Sequence, residues 1–162
     1  MTADQTNSGA VSLAKYIAII VGVQFAAGMT LNLIEALGVT IPPAASNGAS
    51  IGGMVAGIEW AMRTFVQEHQ RSATAGERWR LAAWAAVAGL GLAALVFFGL
   101  FAYSVGIAGI GPELSAAVQQ VGLPVVIGGL LAIIVFSVLI TYWLSGISSR
   151  RYAKLLNKVA AV

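Results

Sequence analysis

Residues 123–144 read LPVVIGGLLAIIVFSVLITYWL, without one charged side chain. About 20 mostly apolar residues in helical form cross the hydrocarbon core of a bilayer. Pro124 lies in what would be the first helical turn, where a missing N–H is harmless. The same signature recurs upstream. Residues 81–103 form a second uncharged run; residues 13–37 form a third apolar run, with Lys15 and Glu35 near its ends, followed by Gly38 and the Pro42-Pro43 pair, which cannot continue a helix. Residues 49–66 are the least apolar candidate, because Glu59 and Arg63 lie within them. The expected fold is therefore all-α: a polytopic membrane protein with four transmembrane helices in two antiparallel hairpins, spanning about 13–37, 49–66, 81–103 and 123–144. This domain, residues 13–146, is expected to follow a flexible cytoplasmic N-terminus (1–12) and precede a basic amphipathic tail (147–162). A short surface helix is expected from about Gly111 to Gln120, closed by Gly122.

The distribution of charge orients that bundle. Charged residues make up 9% of the chain, against roughly 25% in soluble domains. All nine Lys and Arg residues lie at or near one end of the apolar runs, whereas residues 38–50 and 104–122 contain none. Loops rich in Lys and Arg stay in the cytoplasm, so both termini are expected there. No basic residue precedes Lys15, and the apolar run after it exceeds the roughly 7–15 residues of a cleaved signal. A retained signal-anchor is the expected outcome.

Composition also removes whole classes of chemistry. A chain with no Cys has no thiolate nucleophile and no cysteine ligands for an iron–sulfur cluster. Its single His, His69, sits in a hydrophilic loop, which excludes paired intramembrane imidazoles for haem. No cofactor and no metal are expected. The net charge of +3 comes from residues flanking the apolar runs, so it points to anionic lipid headgroups and not to nucleic acid. Arg150, Arg151, Lys154 and Lys158 accompany Tyr152, Leu155, Leu156 and Val159 at helical spacing, a tail suited to a lipid surface. The plainer alternative is that the fourth helix simply continues into water.

Ionisable groups at membrane depth mark functional sites by default. Gln24 and Glu35 lie eleven residues apart, about three turns, and share a face. Glu59 and Arg63 are i,i+4 neighbours on the second span. Antiparallel packing of the first two spans would set Gln24 against Glu59, with Arg63 one turn nearer the cytoplasm. Gly53 and Gly57 form a GxxxG pair on the opposite face, open to an internal helix or to a dimer seam. The structural reading of Glu59 and Arg63, as a self-neutralising pair that orients helices, stands beside a reading as a proton or cation site.

The hydrophilic link carries Glu68, His69, Arg71, Thr74, Glu77, Arg78 and Arg80. Thr74-Ala75-Gly76-Glu77 is a capping-box pattern, predicting a helix start near Ala75. Phe65, Val66, Arg71, Thr74, Glu77, Arg78, Arg80 and Leu81, with the loop Leu37-Gly38-Val39-Thr40-Ile41-Pro42, resemble a family of small four-span bacterial inner-membrane proteins of unknown function. That family's pattern is an L-G-x-x-[IL]-P outer loop followed by a cytoplasmic F-V-x-x-x-x-R-x-P-T-x-x-E-R-x-R-L stretch. Here Ala73 stands where the pattern has Pro, which loosens the turn and leaves the capping box intact. The resemblance implies a bacterial inner membrane and four spans, and no activity.

Catalysis is not expected. Ser137 and Ser145 lack a general base, His69 lacks a nucleophile or metal partner, and Glu35 and Glu59 fall at different depths. The expected function is that of a non-enzymatic accessory, assembly or interaction subunit, within a larger membrane complex or a parallel homo-oligomer. The alternative is a small oligomeric proton- or cation-coupled transporter using Glu59. Because the charge bias imposes one orientation, an antiparallel dimer is disfavoured.

Overall fold

The computed structural model describes residues 12–106 and 109–159, which form five α-helices and no strand. They are α1 (Ala14–Ala36), α2 (Pro43–His69), α3 (Ala75–Val105), α4 (Ile110–Val121) and α5 (Leu123–Val159). The expected N-terminal segment lies outside the described residues except for Ser12, as do the last three residues of the tail. Helices α1, α3 and α5 are long and apolar enough to cross a membrane. Helix α2 is not among them, since Ser46, Asn47, Ser50, Glu59 and Arg63 dilute its apolar character.

Short-range chemistry explains where the helices begin and end. At the end of α1, Gly38 takes a φ of 84° and donates its N–H to Glu35 O, while Val39 N–H reaches Ile34 O. These two bonds form a Schellman cap, which needs a left-handed residue at that position. The Pro pair has a second role beyond ending α1: Pro43 opens α2, so that helix starts there and not near residue 49. Gly122, at φ 89°, accepts from the N–H groups of Val125 and Val126 and donates to Val118 O. One residue thus closes α4 and opens α5.

Packing is strongly one-sided. The buried apolar residues are Leu13, Tyr16 and Ile20 around the start of α1, Ile58, Ala61, Met62, Phe65 and Val66 near the end of α2, and Leu81, Ala82 and Ala85 at the start of α3. The α2 set recurs at i, i+3, i+4, i+7 and i+8, one continuous helical stripe. Helix α5 meets this core through Thr141, Ser145, Ser148 and Ser149, all buried. Small hydroxyl residues let helix backbones approach closely. Their burial is offset locally: Ser145 donates to Tyr142 O at 3.0 Å and Ser149 to Gly146 O at 3.4 Å.

Toward the other end the helices separate, leaving Leu33, Leu95, Leu100 and Phe136 at 62–73% exposed. Lipid chains are as apolar as leucine and supply no drive to bring such side chains together. In water the same surface would be an extended apolar patch far beyond what soluble monomers carry. An all-α membrane protein fits this architecture.

No break separates the basic tail from the last span. Helix α5 runs for 37 residues, about 55 Å at 1.5 Å per residue. Tyr152, Ala153 and Leu156 pack against the closed-end core. The alternative of a continued fourth helix therefore describes residues 147–159, and Tyr152 and Leu156 are half-buried against the core. The i,i+4 stripe from Ser148 onward turns these two side chains toward α2.

Candidate functional site

Most of the charged link residues are assembled at the closed end. Lys15 of α1 forms an ion pair with Glu68 of α2, and Tyr16 donates its hydroxyl to the same carboxylate at 2.6 Å. Lys15 first, and Tyr16 second, hold Glu68 below the usual carboxylate range. His69 stacks on Phe65 with ring centroids 4.4 Å apart, its Nδ1 lying 3.0 Å from Phe65 O and 3.5 Å from the Tyr16 hydroxyl.

Beside this group, Arg71 grips Glu77 with two N–H bonds of 2.8 and 2.6 Å. Its guanidinium also lies 5.3 Å from the Phe65 ring centroid. Arg71 is the main reason that the Glu77 carboxyl is pulled down to about 2, aided by the Thr74 backbone and side chain. Thr74 and Glu77 form the expected capping box: Thr74 N–H donates to Glu77 Oε2 at 2.8 Å, and Glu77 N–H to Thr74 Oγ1 at 3.3 Å. Among the described residues no three His, Asp or Glu side chains converge as metal ligands.

Helix α5 organises a second polar set. Ser148 donates to Glu59 at 2.7 Å. The same carboxylate acts on Tyr152, whose phenol is pushed above its ordinary value by hydrogen bonding to Glu59 and then by burial. On α3, Arg78 places its guanidinium 4.7 Å from the Tyr142 ring centroid and against Gly146, where any Cβ would collide with it. The Arg78 Nε is buried without a hydrogen-bond partner. Trp79 meets Tyr142 edge-on at 5.8 Å, while Arg80 is exposed.

The expected juxtaposition of Gln24 with Glu59 does not occur. Gly53 and Gly57 seat α1 instead: a Cβ at Gly53 would fall 2.6 Å from Ala27 Cβ, and one at Gly57 would fall 2.9 Å from Ile20 O. Residues 57 and 59 point about 200° apart on a helix, so a glycine face turned to α1 turns Glu59 to α5. Gln24 backbone atoms therefore lie beside Gly53. The expected Glu59–Arg63 self-pair is also absent: the ion pairs among the described residues are Lys15–Glu68 and Arg71–Glu77, and Arg63 is exposed.

Where the helices separate, α1, α2 and α3 enclose a groove of about 330 Å³. Gln24, Asn32 and Ser50 supply its polar lining, with Gly28, Gly89 and Leu92 also in its wall. Glu59 is not part of it. Asn32 and Ser50 satisfy themselves on backbone carbonyls one turn earlier. Glu35 is exposed beside Gly38 and Thr40, apart from Gln24, Glu59 and Arg63. Arg150, Arg151, Lys154 and Lys158 share one exposed face of α5 around Ile147 and Leu155.

Sequence reading gave no role to Ser148, Ser149, Gly146 or Tyr16. The small residues at 141, 145, 148 and 149 were a readable signal, an i, i+4, i+7, i+8 stripe like the one on α2. The Tyr16–Glu68 contact had none, because it joins residues 52 positions apart. Comparison of the chain with family models, with curated proteins and with solved structures returns no match.

Proposed function

We propose that this chain is a four-span integral protein of a bacterial inner membrane, with both termini cytoplasmic, serving as a non-enzymatic assembly or interaction subunit. Membership of the family of small four-span proteins that its link sequence resembles belongs to the same proposal. The observation that carries the functional reading is the open groove between α1, α2 and α3, with Gln24 in its lining. A carboxamide at membrane depth is best met by a polar group on another helix, and small residues such as Gly28 and Gly89 allow that helix to come close. Within the chain the corresponding small-residue contact, Gly53 and Gly57, is already filled by α1.

Transport through Glu59 has weaker support. Ser148 holds that carboxylate between α2 and α5, away from the groove. Purification of the tagged chain in mild detergent tests the assembly reading. A membrane partner recovered in fixed ratio is expected, and recovery of this chain alone would overturn it. Gly89→Leu sharpens the test: nothing lies within 4 Å of a Cβ there. The larger side chain should leave stability intact, fill the groove and reduce recovery of the partner.

A further inference from the structure

The cations of the α5 extension line a hollow that adjoins a crevice between α2 and α5. Between α2 and α5, Arg63, Val66, Gln67, Tyr152, Leu155 and Leu156 enclose about 340 Å³. Leu155 also belongs to the adjoining hollow formed by Ile147, Arg150, Arg151, Lys154 and Lys158. Apolar side chains therefore floor a surface whose rim is cationic. Both Arg151 and Arg63 are close enough to Tyr152 to act on its phenol.

Among the described residues, none of these five cations has a carboxylate partner. The ion pairs among the described residues use Lys15 with Glu68 and Arg71 with Glu77, and Glu59 is occupied by Ser148. Glu35 and Glu113 lie at the opposite end of the bundle, near the end of α1 and the start of α4. The position along α5 narrows the choice of ligand. Arg150 stands about 40 Å from Leu123 along the helix, just beyond a hydrocarbon core of about 30 Å and at headgroup level. Long basic side chains at that level reach back to lipid phosphates. The apolar floor suits the glycerol and first methylenes of a lipid, which a free anion or acidic peptide would leave unused. A choline headgroup would bring its own positive charge to the rim.

We propose that the α2–α5 crevice, floored by Leu155 and Leu156 and edged by Arg63, together with the adjoining hollow of Arg150, Arg151 and Lys154, binds the headgroup of an anionic phospholipid. This proposal rests on the membrane reading above. Its test uses the full-length chain in neutral detergent, titrated with phosphatidylglycerol or phosphatidylcholine and read by native mass spectrometry. Phosphatidylglycerol occupancy is expected to exceed phosphatidylcholine occupancy by about thirtyfold, from roughly two well-placed cations. It should fall toward the phosphatidylcholine level in the exposed-residue variant R151Q/K154Q, and in Arg63→Gln, which alters the rim from the other helix.

Equal retention of both lipids, or undiminished phosphatidylglycerol binding in both variants, would overturn the site. Competition by soluble glycerol phosphate as effective as that by the lipid would overturn it too, in favour of a free-phosphate site. The membrane reading fails separately, through release of the chain from membranes by alkaline carbonate. A chain retained in the membrane without lipid preference sinks the crevice proposal alone.

Discussion

Gly57 shows how a single missing atom places a helix. Its Cβ position lies 2.9 Å from Ile20 O and 3.1 Å from Ile20 Cα, so the obstacle is backbone and does not rotate away. Gly57→Ala is expected to lower stability by about 1–3 kcal/mol, the usual cost of overpacking, measured by thermal unfolding in detergent. Gly52, with nothing within 4 Å of its Cβ position, is the matched control. Gly52→Ala should be neutral or stabilising by up to about 1 kcal/mol through helix propensity. Glu59 offers a complementary case. Glu59→Ala leaves the buried Ser148 hydroxyl without its acceptor and is expected to cost about 1–3 kcal/mol. Glu59→Gln keeps an acceptor oxygen and should cost less. A proton-transport role would instead make Glu59→Gln as damaging to flux as Glu59→Ala in proteoliposomes.

The start of α3 is the element whose stability is most directly tied to local chemistry. Thr74 and Glu77 exchange hydrogen bonds, and Arg71 fixes the Glu77 carboxylate from the preceding loop. Thr74→Ala should destabilise the protein by about 1 kcal/mol, as loss of an N-cap does elsewhere. The pH dependence follows from the depressed Glu77 carboxyl, near 2 in the folded chain against an ordinary value of 4.5. A carboxyl whose folded value is lowered contributes stability that is complete above its unfolded value and lost on acidification. Stability from this element is therefore expected to be level above about pH 5 and to fall as pH drops from about 4.5 toward 2. Arg71→Gln should flatten that fall by bringing Glu77 back toward its ordinary range, a difference visible in acid unfolding curves. The capping box was legible in four consecutive residues because all its partners lie within one turn. The Arg71 clamp was not, since it depends on how the link folds back over Phe65.

At the scale of the molecule, the protein is a bundle joined at one end and open at the other, and the proposed orientation places the joined end in the cytoplasm. The absence of Cys makes this directly testable. Single replacements Ser72→Cys, in the α2–α3 link, and Ser115→Cys, on α4, are expected to react with a membrane-impermeant maleimide from opposite sides of the membrane. Labelling of both from one side would overturn the four-span arrangement, as would labelling of Ser72→Cys from the outside. Apolar run lengths, glycine corners and the α3 cap are properties of neighbouring residues, so the helices at 14–36, 75–105 and 123 onward, and the start of α4, could be read from the chain itself. The spread of charge likewise pointed to one end before any coordinates. What each helix face touches was decided only in three dimensions. Small residues on α2 and α5 fit backbones together wherever complementary surfaces meet, and a GxxxG pair carries no mark of its partner. Tertiary packing alone turned Gly53 and Gly57 to α1, sent Glu59 to Ser148, and laid the basic extension of α5 against α2.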